Sequence, residues 1–162
     1  MNLRTPLLEY SAKIATPFAV LGIRQRDRTI IAIDYMAVGS ETLDPTTPLA
    51  AEAARQLLQF VDDPHFEFDI PVATNGTAFE DRVWREIRGI PPGQVRTYGE
   101  IARRVITMPR AVGGACGRNP LPVIIPCHRV IAAGGGLGGF MRGRDDHALA
   151  IKRWLLQHEG YL

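Results

Sequence analysis

Cys127 and His128 stand side by side in the run Pro126-Cys127-His128-Arg129-Val130. A thiolate is the reactive form of cysteine, and an imidazole or cation close by draws the thiol pKa down from ~8.5. The pair reads as a nucleophile with a base beside it. Adjacent side chains often diverge, however, and free cysteine is among the most buried residue types, so Cys127 taken alone reads more readily as core. A nucleophile–base relay needs a third group to orient the histidine. Glu159 is the candidate. In a helix over residues 146–159, Ala148, Ile151 and Leu155 form the apolar face, and Glu159 falls four residues after Leu155. A carboxylate facing inward is costly unless paired, and His128 is the partner this spacing predicts. The alternative for Glu159 is a solvated place at a frayed end beside Gly160.

Other patterns narrow the chemistry. Residues 134–139 spell G-x-G-x-x-G, but no βαβ unit surrounds them and Phe140-Met141-Arg142 opens no helix, which argues against a dinucleotide site. A pliable loop whose backbone can approach a ligand fits better. Only two cysteines occur, Cys116 and Cys127, so a disulfide framework and a CxxC-type zinc site are both excluded. No metal is expected. The net charge of +2 announces no partner. Its distribution is more informative: Arg96, Arg103, Arg104, Arg110, Arg118 and Arg129 crowd one stretch. They could follow a phosphate backbone or form a solvated face.

The elements that must position these groups follow from periodicity and punctuation. The chain has 162 residues, 46% of them hydrophobic, enough to bury a core as one large or two small domains. No apolar run nears the ~20 residues that span a bilayer, and the first residues lack the apolar segment of a secretion signal; the expectation is a cytoplasmic protein without a membrane partner. Residues 7–14, 19–25 and 29–35 read as strands and 48–61 as a helix. A linker over 71–76 follows. Thr77 with Glu80, and Thr97 with Glu100, fit capping boxes that open two helices. Pro109 suits the first turn of another over 109–118. Residues 121–125, apolar between prolines, read as a buried strand. The order predicts an α/β (α+β) fold: a small sheet-plus-helix unit over 1–75, then a mainly helical unit over 76–162 with a helix-turn-helix of winged-helix type. The helix after Pro109 is odd. Ala111, Gly113, Gly114, Ala115 and Gly117 are small, and each glycine costs up to ~1 kcal/mol against alanine. Something bulky must approach its surface closely, either DNA or a packed neighbouring helix.

Three segments together, Arg110-Ala111-Val112-Gly113-Gly114-Ala115, Arg118-Asn119-Pro120 and Ile125-Pro126-Cys127-His128-Arg129-Val130, closely resemble the O6-alkylguanine-DNA alkyltransferases. The likeness runs almost throughout residues 77–162; the first ~75 residues fit only in their strand-then-helix order, which in that family is ribonuclease H-like. The resemblance implies direct reversal of DNA damage. O6-methylguanine, and less readily O4-methylthymine, would be flipped out of duplex DNA and its alkyl group moved irreversibly, once per molecule, to Cys127. His128 would act as base through a water, with Glu159 on its other nitrogen. Asn119 would brace the cysteine loop and Tyr98 would assist the departing guanine. Arg110 would fill the gap in the base stack, with Thr97, Ala111, Gly113, Gly114 and Arg118 along the minor groove. Val130, Phe140 and Met141 would complete the pocket. No cofactor is implied, and the protein would act as a monomer, with cooperativity on DNA left open.

The chain departs from the family pattern at three places. Phe140 stands where tyrosine is usual, Met141 where some members have a small residue, and 142–147 looks longer than usual. Met141 is expected to narrow the pocket against bulky adducts; equal rates on methyl- and benzyl-guanine would contradict that. The N-terminal half lacks the cysteine and histidine ligands with which some members bind zinc. Three rivals remain at this stage: a lesion sensor of the same fold, which Cys127 opposes; a Cys-His hydrolase, for which no oxyanion hole is specified; and a helix-turn-helix regulator, which would need longer polar side chains after Pro109.

Overall fold

The computed structural model describes residues 9–140 and 146–162. Three antiparallel strands, β1 (Ala12–Ala15), β2 (Val20–Arg26) and β3 (Thr29–Met36), form a sheet in that order. Asp27, with φ 50°, turns β2 into β3, and the register shifts between Arg24 and Gln25. Helix α1 (Pro48–Asp62) starts where Thr47 accepts from the Ala50 amide and Pro48 occupies the first turn. Its buried face, Ala50, Ala53, Ala54, Leu57 and Phe60, packs on all three strands.

The free edge of β3 is covered by segments from farther along the chain. The Ile30 amide donates to the Pro71 carbonyl at 2.9 Å, and the Ile33 amide donates to the Pro120 carbonyl at 2.9 Å. These bonds satisfy an otherwise open strand edge and tie the sheet to the chain just before Cys127.

Helices α2 (Ala78–Arg88) and α3 (Tyr98–Val105) open on complete capping boxes, Thr77 with Glu80 and Thr97 with Glu100. Between them Arg96–Thr97 (β4) pairs in parallel with Val130–Ile131 (β5). Helix α4 (Pro109–Gly117) follows α3 after the joint 106–108, and α5 (Asp146–His158) closes the chain. Val83, Ile87, Ile101, Val112, Ala115, Ile151 and Leu155 are buried in one cluster that also contains the apolar side of the sheet. The Trp84 indole N–H donates to the Ala115 carbonyl at 2.9 Å and locks α2 to α4. The mixture of a small sheet and helices is the α/β class expected.

Two expected strands differ. The first begins only at Ala12 rather than at residue 7, and residues 7 and 8 lie outside the described residues. Residues 121–125 are buried but form a tight turn, with Val123 at φ 74° and an isolated bridge between Pro122 and Ile125. Pro120, Pro122 and Pro126 have no amide hydrogen to give a ladder, so the apolar run folds back on itself: the Ile125 amide donates to the Leu121 carbonyl at 2.8 Å.

Candidate active site

Cys127 opens a single 3-10 turn (Cys127–Arg129) directly after the 121–125 turn, and is only 5% exposed. Asn119 braces it. Its side-chain amide donates to the Ile125 carbonyl at 2.8 Å and to Cys127 Sγ at 3.2 Å, while its oxygen accepts from the Leu121 amide at 2.9 Å. One side chain thus holds both ends of the turn and the sulfur.

His128, the next residue, is fully buried. Its Nε2 lies 2.9 Å from Glu159 Oε1. Arg129 meets the same carboxylate: its Nε donates at 3.0 and 3.1 Å to the two oxygens, its Nη2 donates to Oε2, and its Nη1 donates to the Ile90 carbonyl at 2.6 Å. Burial alone would push the Glu159 carboxyl up. The hydrogen bonds from His128 and Arg129 overcome it and hold the group at about 2. A carboxylate that stays ionised must accept, so His128 Nε2 carries the proton and Nδ1 carries the lone pair. That Nδ1 is buried and finds no hydrogen-bond partner among the described residues. Burial also pushes the His128 imidazole below its usual range, against the pull of Glu159. The histidine is therefore a neutral base with its lone pair open.

The thiol departs from the expectation that its neighbour would lower its pKa. A hydrogen bond with Cys116, and then burial, push Cys127 well above the ordinary thiol range; Asn119 and Lys152 pull down without prevailing. The reason is geometric. His128 turns toward Glu159 and leaves Cys116 and Asn119 as the groups at the sulfur. The resting thiol is protonated, and a base has to remove its proton during reaction.

Arg129 corrects a second expectation. It cannot follow a phosphate backbone, because it is 7% exposed and its guanidinium is committed to Glu159. Desolvating a guanidinium inside the protein is tolerated only with such a bidentate partner.

Lys152 on α5 is a site residue that periodicity passed over. It is fully buried, and its ammonium donates to the carbonyls of Val130 at 2.7 Å, Leu137 at 2.6 Å and Gly139 at 3.0 Å. Burial lowers its pKa to about 8. Its place four residues after Ala148 and three before Leu155 put it on the inward face by the reasoning that singled out Glu159.

A cavity of about 140 Å³ opens at Cys127, walled by Asn119, Cys116, Phe140 and, from β3, Ile33, Asp34 and Tyr35. The N-terminal sheet thus contributes a wall to the site.

The chain has counterparts among known proteins. A family model described as the DNA-binding domain of 6-O-methylguanine DNA methyltransferase matches residues 78–161. A methylated-DNA–protein-cysteine methyltransferase from Metallosphaera sedula is 36% identical over 148 residues, covering 91% of this chain and 90% of its own. The chain belongs to the methylated-DNA–protein-cysteine methyltransferase family. The crystal structure of Mycobacterium tuberculosis O6-methylguanine methyltransferase superposes with TM-score 0.77 at 33% identity, covering 93% of this chain and 92% of the other. A structure of the M. tuberculosis protein in complex with DNA does so with TM-score 0.75 at 34% identity, covering 91% and 90%.

The remaining candidate residues lie at the start of α3, in the segment before Phe140 and along α4. Tyr98, at the start of α3, donates from its hydroxyl to the Gly139 carbonyl at 3.3 Å. Gly138 passes over the Tyr98 ring with φ 71°, and a Cβ there would stand 3.0 Å from Tyr98 Cε2, so a larger residue would be strained. Phe140 is buried against Tyr35, ring centres 5.9 Å apart. Met141 and residues 142–145 lie outside the described residues. On α4, Val112 and Ala115 face inward while Arg110 is exposed. No described atom lies within 4 Å of a Cβ built on Gly113, so no packed neighbour explains that glycine; Gly114 sits under the Arg118 guanidinium. Arg118 itself pairs with Glu80, and the Thr97 hydroxyl accepts from the Glu100 amide. Among the described residues no group of three or more His, Cys, Asp or Glu gathers as a metal site, and no helix is long and apolar enough to cross a membrane.

Proposed function

We propose that this chain repairs O6-alkylguanine in double-stranded DNA by taking the alkyl group onto Cys127. The observation that carries the reading is a buried His128 hydrogen-bonded to Glu159, next in the chain to a Cys127 thiol held by Asn119. The Cys127 proton passes through a bridging water to His128 Nδ1. The sulfur then attacks the alkyl carbon, the carbon–O6 bond breaks, and its electron pair goes to the guanine. A guanine anion is a poor leaving group, so Tyr98 supplies a hydrogen bond or proton as it departs. The product is a thioether and free guanine within DNA, and the atoms balance without a cofactor. A thioether does not hydrolyse, so each molecule acts once.

The damaged oxygen lies inside the duplex, so the nucleotide must be flipped out. Helices α3 and α4 serve as a helix-turn-helix whose low, glycine-rich surface enters the minor groove. Arg110 replaces the lost stacking, and Thr97, Ala111, Gly113, Gly114 and Arg118 follow the strand. Val130 and Phe140 line the base pocket, with the Cys127 and Val130 carbonyls facing the exocyclic amine. The unit over 76–162 holds this machinery, and the unit over 1–75 backs it through β3. The protein acts as a monomer in the cytoplasm, and O4-methylthymine is a slower substrate.

Incubation with duplex carrying O6-methylguanine, followed by intact-mass measurement, tests the reading. One methyl adduct per molecule, absent in Cys127→Ser, is expected. Binding without an adduct would point to a sensor, and turnover beyond one equivalent to a hydrolase.

A further inference from the structure

The joint between α3 and α4 carries two large apolar side chains that the fold leaves outside. Ile106 is 91% exposed and Met108 71%. Pro109 and Arg110, next along the chain, are exposed as well. Among the described residues the other large exposed hydrophobics, Val38, Leu58 and Leu162, are scattered far apart in the chain, which is ordinary for a protein surface.

Ile106 is also strained. It holds φ 58° and ψ 65°, the left-handed conformation that ends α3, and its amide and that of Thr107 both bond to the Ala102 carbonyl. Glycine or asparagine commonly fills such a position, and a β-branched residue there is an outlier. Exposure and strain thus coincide at one residue. Backbone strain retained in a fold clusters at binding and catalytic surfaces.

The surroundings indicate the occupant. Arg103 and Arg104, both exposed, precede the apolar pair in the last turn of α3, and Arg110 follows it. An apolar tip rimmed by guanidinium groups suits a groove bordered by phosphates. Proteins that bind the minor groove commonly insert isoleucine, methionine or proline between base steps and partly unstack them.

We propose that Ile106 and Met108 form an apolar wedge that enters the DNA beside Arg110 and unstacks the base step next to the flipped guanine. The proposal rests on the reading above, in which α4 faces the minor groove. Unstacking a neighbouring step lowers the work of extruding the lesion, and Arg110 then occupies the space that the base vacates. The wedge reads no sequence, as a repair protein that must accept any flanking bases requires.

The test compares wild type with Ile106→Gly, Met108→Ser and the double variant. A duplex carries O6-methylguanine with 2-aminopurine as its neighbour, whose fluorescence rises on unstacking. Glycine accepts the left-handed position, so Ile106→Gly should raise Tm, and a loss of DNA binding cannot then be ascribed to misfolding. The double variant should bind the duplex about tenfold more weakly, the scale of losing one stacked contact. The fluorescence rise should shrink, and the salt dependence of Kd should keep its slope, because no phosphate contact is removed. Unchanged affinity and fluorescence in the double variant would overturn the wedge. So would a flattened salt slope, or a loss of self-association with DNA binding intact. Wild type that takes no methyl group onto Cys127 would sink the underlying repair reading as well. Wild type that does so beside unaltered variants would sink the wedge alone.

Discussion

Glu159 Oε1 lies 2.9 Å from His128 Nε2, and the same carboxylate receives the buried Arg129 guanidinium. Charge balance inside the core therefore requires the carboxylate to be ionised and the imidazole neutral. Both groups tie stability to pH in the same direction. His128 is pushed below its unfolded value of 6.5 and Glu159 is held at about 2 instead of 4.5. In each case the unfolded chain binds the proton more readily, so the contribution is present above the unfolded pKa and lost as pH falls. Chemical denaturation should show stability declining below about pH 6.5 and more steeply below about 4.5. Glu159→Gln should lose the lower step and about 3 kcal/mol at neutral pH, because Arg129 is left buried without its counter-ion. A variant as stable as wild type at pH 7 would show that the pair carries no such weight.

Cys116 controls the acidity of Cys127. Its hydrogen bond is the largest of the influences that hold the Cys127 thiol above the ordinary range. Cys116→Ala should move the midpoint of the pH–rate profile for transfer to lower pH and speed the reaction severalfold at neutral pH. Asn119→Ala removes a bond that favours the thiolate and should move the midpoint the other way. Rates measured in single turnover across pH 6 to 10 read both shifts, and coincident profiles would contradict the assignment.

Local rules made part of the molecule legible. Both capping boxes were evident because Thr77–Glu80 and Thr97–Glu100 act within a single turn. The inward position of Glu159 followed from the 3.6-residue period, and the same period should have singled out Lys152. What stayed hidden depends on chain segments far apart in sequence. The approach of Cys116 to Cys127 requires α4 to dock beside the 121–125 turn. Arg129 counted with the surface arginines until its partner, thirty residues on, turned it inward. The apolar run 121–125 looked like a strand because burial and strand propensity share one signature, and only its missing proline donors separate them.

Lys152 gathers the carbonyls of Val130, Leu137 and Gly139 around one ammonium. It is a positioning residue: it fixes the segment that runs over Tyr98 and ends at Phe140. Lys152→Met keeps the buried stem and removes the donors. We expect a loss of about 2 kcal/mol in denaturation, faster proteolysis within residues 132–139, and slower transfer. The pH midpoint of that transfer should fall where the Cys127 thiol titrates without its nearby cation, above the wild-type value. Unaltered proteolysis would mean that the glycine segment holds itself.

The last prediction concerns the protein after reaction. Cys127 is 5% exposed, with Asn119, Cys116 and the 121–125 turn packed about it. A methyl group on Sγ that turns from the cavity toward Asn119 and Cys116 meets packed atoms. It also ends the hydrogen bond to Cys116, because a thioether has no proton to donate. Overfilling a packed site typically costs 1–3 kcal/mol, of which we expect about 2 here. The strain falls on Asn119, which links the sulfur to the Ile125 carbonyl, and on α4, which carries Cys116. The methylated form should therefore melt several degrees below the free protein and show faster amide exchange in α4 and residues 119–127 than in the three-stranded sheet. Equal melting temperatures for the two forms would show that the cavity accepts the methyl group without rearrangement.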